Sequence, residues 1–347
     1  MLASKTREGA NQRNMARSNR SVHTKKTGAF PPKNAPGHAR IRPIIIYPFV
    51  QPFKLDGLAR LFETLKTWNS EPEFCKPLVI INNQTRYRST KPAVEDPRVE
   101  AAYKKALKDV IGSTGRLWPC WSVDSCAMWL TGLGESFEEA TQSHAYHDVF
   151  FLIPGDFDFS TAEGLIALKR LQQIPTKVLV NECSICLGEI QVPLNSAKQL
   201  IDTYGTYGLL YNWFPAEAKG IRRRTDKPRT EFFAVNYETL KHSLIPHRWY
   251  AYEQTLIMLL QNMDGEGEVR EIKTVPLGLL TDEEATRSSL AGAMMQVERT
   301  ERALKLFWRE RAIGRGRPNW QDEFRTLDAQ SESIRDAAMV ILRRVLK

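Results

Sequence analysis

Two carboxylates two residues apart, Asp156 and Asp158, follow the apolar run Val149-Phe150-Phe151-Leu152-Ile153, with only Pro154 and Gly155 between. The run is too short for a helix and rich in β-branched and aromatic side chains, so it predicts a strand buried on both faces. Proline cannot donate to a sheet ladder and glycine adopts dihedrals that other residues avoid, so the strand is expected to end here in a turn. In open α/β sheets ligands bind at the carboxyl edge of the strands, which makes the two aspartates a candidate ligand-binding pair. Asp beside Gly after a strand is also ordinary turn chemistry. A second stretch of this kind is 221–229, expected to be a loop, where Arg222, Arg223, Arg224, Lys227 and Arg229 cluster. Guanidinium groups make bidentate contacts with phosphates, although a solvated basic loop has the same composition. Cys183 and Cys186 have the spacing of half a zinc site, but no second pair follows, and we read them as buried, reduced thiols.

These residues need a scaffold, and hydrophobic periodicity supplies one. Short apolar runs predict strands at 42–50, 77–81, 149–153, 177–180 and 231–235, with an edge strand at 269–275. Helical spacing predicts helices at 55–68, 97–111, 122–140, 162–173, 195–211, 249–261, 282–312 and 320–347, with a Gly-Arg-rich break at 313–318. Ser160 or Thr161 is expected to cap the fourth of these, and Gly205 and Gly208 to weaken the fifth. Alternation of strand and helix argues for an α/β fold, a mostly parallel central sheet covered by helices on both faces. The expected division is a basic tail (1–41), a catalytic domain (42–278) and a C-terminal helical extension (279–347).

The formal net charge of +9 lies wholly in the first 42 residues, where ten basic side chains face the single acid Glu8. The remainder is formally neutral. The tail has too little apolar content to offset its ordering entropy, so it is expected to be disordered, with nucleic acid or an acidic protein as candidate contacts. No apolar run approaches the roughly 18 residues of a membrane span, and there is no signal-peptide core, so a cytoplasmic location is expected.

Taken in order, the elements resemble the GT-A glycosyltransferases, the nucleotide-diphospho-sugar transferase fold, in a mannosylglycerate-synthase-like or family-2-like layout. An opening strand ends in Tyr47-Pro48-Phe49, a second ends in polar residues, and an apolar strand leads to an Asp-x-Asp element, Asp156-Phe157-Asp158. Later an acid, Glu231, opens a short strand, and a helix bears Glu253. The resemblance implies transfer of a sugar from a nucleotide-diphospho-sugar to an acceptor hydroxyl, with Asp156 and Asp158 holding Mn²⁺ or Mg²⁺ on the diphosphate. Pro154 and Gly155 intervene where the family runs straight into its first Asp; Asp156 serves in either register, Asp158 in one. Glu231 would contact acceptor hydroxyls and Glu253 would act as general base, against the alternative of a solvated helix face. Gln51, Asn82, Asn83 and Arg86 would meet the base and ribose, Asp124 would be a further ribose contact or a helix cap, and Arg222 and Arg224 would close over phosphates. The late metal-binding His of some members has no match after Val275. A binding-only relative that keeps the fold and lacks turnover, and a nucleic-acid-associated protein using the tail, are the alternatives.

Overall fold

The computed structural model describes residues 39–47, 55–69, 71, 73–82, 97–120, 125–192, 196–243, 253–263, 272–279 and 290–345, which belong to one compact unit. Seven strands, β1 (Ile41–Tyr47), β2 (Leu78–Asn82), β3 (Arg116–Cys120), β4 (Val149–Pro154), β5 (Ile185–Gln191), β6 (Phe232–Asn236) and β7 (Ile272–Leu279), form one sheet in the order β3-β2-β1-β4-β6-β5-β7. Every neighbouring pair is parallel except those made by β6, which runs antiparallel to both β4 and β5.

Side chains alternate between the two faces of a strand, and here both faces are apolar. Ile45, Val79, Phe151, Ile153 and Phe232 face one layer, formed by α1 (Leu55–Trp68), α2 (Pro97–Ile111), α4 (Ala162–Leu171) and α5 (Gln173–Leu179). Ile44, Ile80, Phe150, Leu152 and Phe233 face the other, formed by α3 (Ser125–Gln142), α7 (Tyr207–Trp213), α8 (Pro215–Arg222), α9 (Tyr237–Ser243), α10 (Gln254–Gln261) and two long helices, α11 (Leu290–Gly314) and α12 (Trp320–Val345). The long helices are seated in this layer by Val297, Leu304, Phe307, Trp308 and Met339. A polar chain fastens them as well: Trp213 Nε1 donates to Ser331 Oγ (3.3 Å), Ser331 Oγ donates to Glu301 Oε1 (2.7 Å), and Lys305 and Arg335 pair with Glu301 at 2.9 and 3.2 Å. At the amino edge of the sheet, buried Arg42 pairs with Asp148 (2.6 Å) and Glu139 (3.2 Å), tying the starts of β1 and β4 to α3.

Several expectations are corrected. Residues 177–180 are not a strand: Lys177, Val178 and Leu179 end α5, and the strand comes later, as β5. A four-residue apolar run has no period of its own, and burying Ile174, Pro175 and Val178 on one side satisfies a helix equally well. β3 is an addition to the expected strands: a five-residue strand containing Pro119 gives little sequence signal, and its place at the sheet edge is where proline is tolerated. The opposite edge strand, β7, also carries a proline, Pro276, beside a register shift between Glu189 and Ile190 of its partner. The 195–211 helix is broken into α6 (Ala197–Leu200), a π-helical turn (Ile201–Thr206) and α7. Its glycines allow close packing: a Cβ on Gly205 would lie 2.7 Å from Val297 Cγ2, and one on Gly208 3.0 Å from Ile334 Cγ2. Part of the expected 221–229 loop is the end of α8. The strand at Pro154 does not stop where expected. Pro154 pairs with Ile46, and Gly155 N donates to Ile46 O (2.7 Å), so the ladder runs one residue past the proline. Gly155 is needed for space rather than for a special dihedral, since a Cβ there would lie 2.8 Å from Ile45 Cγ2.

Helix α3 offers a paired stability test. A Cβ on Gly132 would meet Ile44 Cγ2 at 2.7 Å and Ile80 Cγ1 at 3.0 Å, whereas one on Gly134 would meet nothing within 4 Å. Gly132→Ala is expected to destabilise by about 1–3 kcal/mol through overpacking, and Gly134→Ala to stabilise by about 0.5–1 kcal/mol through helix propensity, both read from urea unfolding midpoints.

Candidate functional site

The reversed strand β6 decides what meets at the carboxyl edge of the sheet. Its register against β4 pairs Phe233 with Leu152, so the start of β6 lies beside the end of β4. Glu231, one residue before β6, is thereby brought to the edge where Asp156 and Asp158 emerge. The same register logic brings in the end of β5, since Gly188 pairs with Phe232. Thr230 fixes this corner: its Oγ1 donates to Gly188 O (2.5 Å), and its own carbonyl accepts from Thr255 Oγ1 (2.7 Å) in the first turn of α10.

The Asp-Phe-Asp-Phe segment alternates. Phe157 and Phe159 are buried, with ring centroids 5.1 and 6.5 Å from that of Phe232, while Asp156 and Asp158 are half-buried. The apolar residues thus anchor the loop to β6 and leave the carboxylates toward the edge. Two helices close on the loop from behind. A Cβ on Gly57 of α1 would lie 2.9 Å from Phe159 N, and one on Gly164 of α4 2.4 Å from Asp158 O, so any side chain at either glycine would displace the backbone that carries the aspartates. Thr161 caps α4, its Oγ1 accepting from Gly164 N at 3.0 Å. Asp158 Oδ1 accepts from Ser160 N (2.9 Å) and Ser160 Oγ (2.5 Å), which orients the carboxylate; Oδ2 makes no hydrogen bond among the described residues.

Glu253 precedes α10 and is fully buried. Its Oε2 accepts from Arg229 Nε at 2.7 Å, and among the described residues its Oε1 has an ion pair with Arg299 Nε at 3.7 Å and no hydrogen bond. Arg229, whose side chain is 8% exposed, reaches Gln296 Oε1 with Nη1 at 3.5 Å. Burial pulls the Arg229 pKa down, but the Glu253 carboxylate foremost, with Asp202, outweighs it, so the guanidinium stays firmly charged. Around this pair lie two further links, Lys227 Nζ to Asp202 (3.3 Å) and Thr225 Oγ1 to Glu189 Oε1 (2.5 Å). Glu231 is half-buried and has neither a hydrogen bond nor an ion pair among the described residues.

Of the basic loop, Arg222 stacks over Tyr207 (4.5 Å to the ring centroid) and pairs with Asp226 (3.3 Å), while Arg224 is exposed. Asn82 ends β2 opposite Cys120 of β3. Gln51, Asn83, Arg86 and Asp124 lie outside the described residues. Cys183 and Cys186 are buried free thiols. In the sequence Lys227 and Arg229 read only as members of a basic cluster, and Gln296 and Arg299, which come from α11, far along the chain, carry no local signal. Among the described residues, no three His, Cys, Asp or Glu side chains are grouped so as to hold a metal ion. The Asp156 and Asp158 carboxylates suit a hard divalent cation that takes its other ligands from phosphate oxygens and water. No helix of the described residues is long and apolar enough to cross a membrane.

No family model and no curated protein sequence matches the chain. Among solved structures, it is similar to mannosyl-3-phosphoglycerate synthase from Rubrobacter xylanophilus, at 13% identity and TM-score 0.46, over 81% of this chain and 76% of that one. It is also similar to glucosyl-3-phosphoglycerate synthase from M. tuberculosis, at 12% identity and TM-score 0.43, over 76% of this chain and 81% of that one. A structure of the latter enzyme with Mg²⁺ and uridine diphosphate matches at 13% identity and TM-score 0.39, over 75% and 80% of the two chains.

The Arg229–Glu253 pair predicts a strong coupling. Arg229→Met or Glu253→Leu alone strands a buried charge and is expected to cost about 3–5 kcal/mol. The double substitution should cost clearly less than the sum, a non-additivity that a double-mutant cycle in urea measures.

Proposed function

We propose that the protein is a divalent-metal-dependent glycosyltransferase that moves a sugar from a nucleotide-diphospho-sugar to an acceptor hydroxyl at the carboxyl edge of the sheet. The observation that carries this reading is the reversal of β6, which brings Glu231 to the edge from which Asp156 and Asp158 emerge. Three half-buried acids from two segments form an arrangement suited to holding a metal-bound diphosphate and an acceptor together.

In this reading Asp156 and Asp158 hold the cation, Asp156 contributing in either alignment register and Asp158 through the Oδ2 that Ser160 leaves free. A bound Mg²⁺ or Mn²⁺ supplies charge neutralisation on the diphosphate leaving group. Exposed Arg224 is the phosphate contact of the basic segment; Arg222 is already engaged with Tyr207 and Asp226. Asn82, at the end of β2, keeps its role toward base or ribose, together with Gln51, Asn83, Arg86 and Asp124. Glu231 meets the acceptor hydroxyls.

The base role for Glu253 has to reckon with its burial. Arg229 occupies Oε2, which among the described residues leaves Oε1 as the oxygen without a hydrogen bond, and the side chain has no exposed surface. We therefore assign proton acceptance from the acceptor to Glu231 and give Glu253 the part of holding Arg229 in place, with Oε1 in reserve. The cytoplasmic location and the contact of the basic tail with an acidic partner belong to the same proposal.

Titration calorimetry with UDP-, GDP- and ADP-sugars in Mn²⁺ or Mg²⁺ tests the donor site. Asp156→Ala is expected to abolish metal-dependent binding, and undiminished binding would remove the proposal. Glu231→Gln is expected to lower turnover by about 100-fold or more with donor binding retained. The same loss in Glu253→Gln, with Glu231→Gln unaffected, would return the base role to Glu253.

A further inference from the structure

The Gly-Arg break between α11 and α12 takes no part in the proposed chemistry. It borders a recess of about 380 Å³ whose lining includes Trp213, Phe214, Trp308, Arg311, Arg315 and Arg317. The turn itself gathers the cations. Arg315 N donates to Arg311 O (3.1 Å), Arg317 N donates to Ala312 O (3.0 Å), and Gly316 has φ +60°, so the chain curls back over the last turn of α11.

Two of the three guanidinium groups already have carboxylates. Arg311 Nη1 lies 2.6 Å from Glu217 Oε1, and Arg317 Nη2 lies 3.0 Å from Glu323 Oε1. Their guanidinium carbons sit 5.8 Å from the Phe214 ring centroid and 5.7 Å from that of Trp308, contacts that orient the groups. Arg315 has no ion pair among the described residues. Partial burial pushes its pKa down, and Arg311 and Arg317 push the same way, with Glu217 opposing. The recess thus carries one positive charge more than its two carboxylates balance, on a residue that the fold holds against like charges. An anion in the recess would relieve that repulsion, and the flat guanidinium fork matches the oxygens of a phosphoryl group.

We propose that the recess between Trp213, Trp308 and the α11–α12 turn binds a phosphoryl group, of free phosphate or of a small phosphate monoester, with Arg315 as its principal contact and Arg311 and Arg317 flanking it. At roughly 30 Å³ per water the volume is about a dozen waters, room for the monoester as well as the ion. The site shares no residue with the Asp156 edge, so it stands or falls independently of the nucleotide-sugar reading.

Calorimetry of the full chain with inorganic phosphate and, separately, with glucose 6-phosphate, at constant ionic strength in chloride, tests it. Saturable binding is expected, weakened about ten-fold or more by Arg315→Gln, weakened less by Arg315→Lys, and unchanged by Arg343→Gln, an exposed arginine of α12 outside the recess. The tighter of the two ligands identifies the source of the phosphoryl group. Binding should persist in Asp156→Ala, which separates this site from the donor site. Absence of saturable binding of both ligands, or equal affinities in the wild type and Arg315→Gln, would overturn the proposal.

Discussion

The reversal of one strand organises the molecule. In an all-parallel sheet, the residue preceding β6 would sit at the amino edge, where Arg42, Asp148 and Glu139 form their own network. Running β6 antiparallel between β4 and β5 sends that residue to the opposite edge and aligns it with the end of β4. The reversal is held by ladder bonds on both sides and by core packing on both faces, since Phe232, Phe233, Ala234 and Val235 are all fully buried. A one-residue slip would turn Phe232 away from Phe157 and Phe159 and would exchange the two apolar layers. Register and site geometry are therefore one constraint.

The charged groups near this edge are organised around that corner. Thr230 links β5, β6 and α10 through two hydrogen bonds, and Arg229, one residue earlier, meets Glu253, one residue before α10. Burying a full ion pair is costly, and its worth comes from what breaking it would leave behind. With Gln296 and Arg299 supplied by α11, the pair also connects the long C-terminal helices to the segment that carries Glu231. Those helices are not remote from the sheet edge in any mechanical sense, because a shift of α11 would be felt at Arg229.

Much of this architecture could be read from residues. The spacing of Leu58, Leu61, Phe62 and Leu65 marks α1 to its boundaries, the Val149–Ile153 run marks β4, and the Asp-x-Asp element falls at the edge expected of it. Physical ambiguity accounts for the misses. Lys177-Val178-Leu179-Val180 is too short to carry a period, while the real strand β5 contains Gly188 and Glu189, which weaken its pattern. Gly188 is there because a Cβ would strike Ile174 and Phe232 at 2.7 Å, a requirement of the third dimension. Glu253 has the sequence appearance of a helix-face acid; its burial depends on Arg229 and Arg299, at separations that no local pattern reports.

The two outer strands give the sheet a further property. β3 contains Pro119 and β7 contains Pro276, so each outer strand presents a ladder interrupted by a residue without an amide hydrogen. An incoming strand from another copy could not extend hydrogen bonding continuously along either side. Among the described residues the sheet thus has a proline-bearing strand at each side, which disfavours self-association through strand addition in a chain whose central strands are apolar enough to drive it.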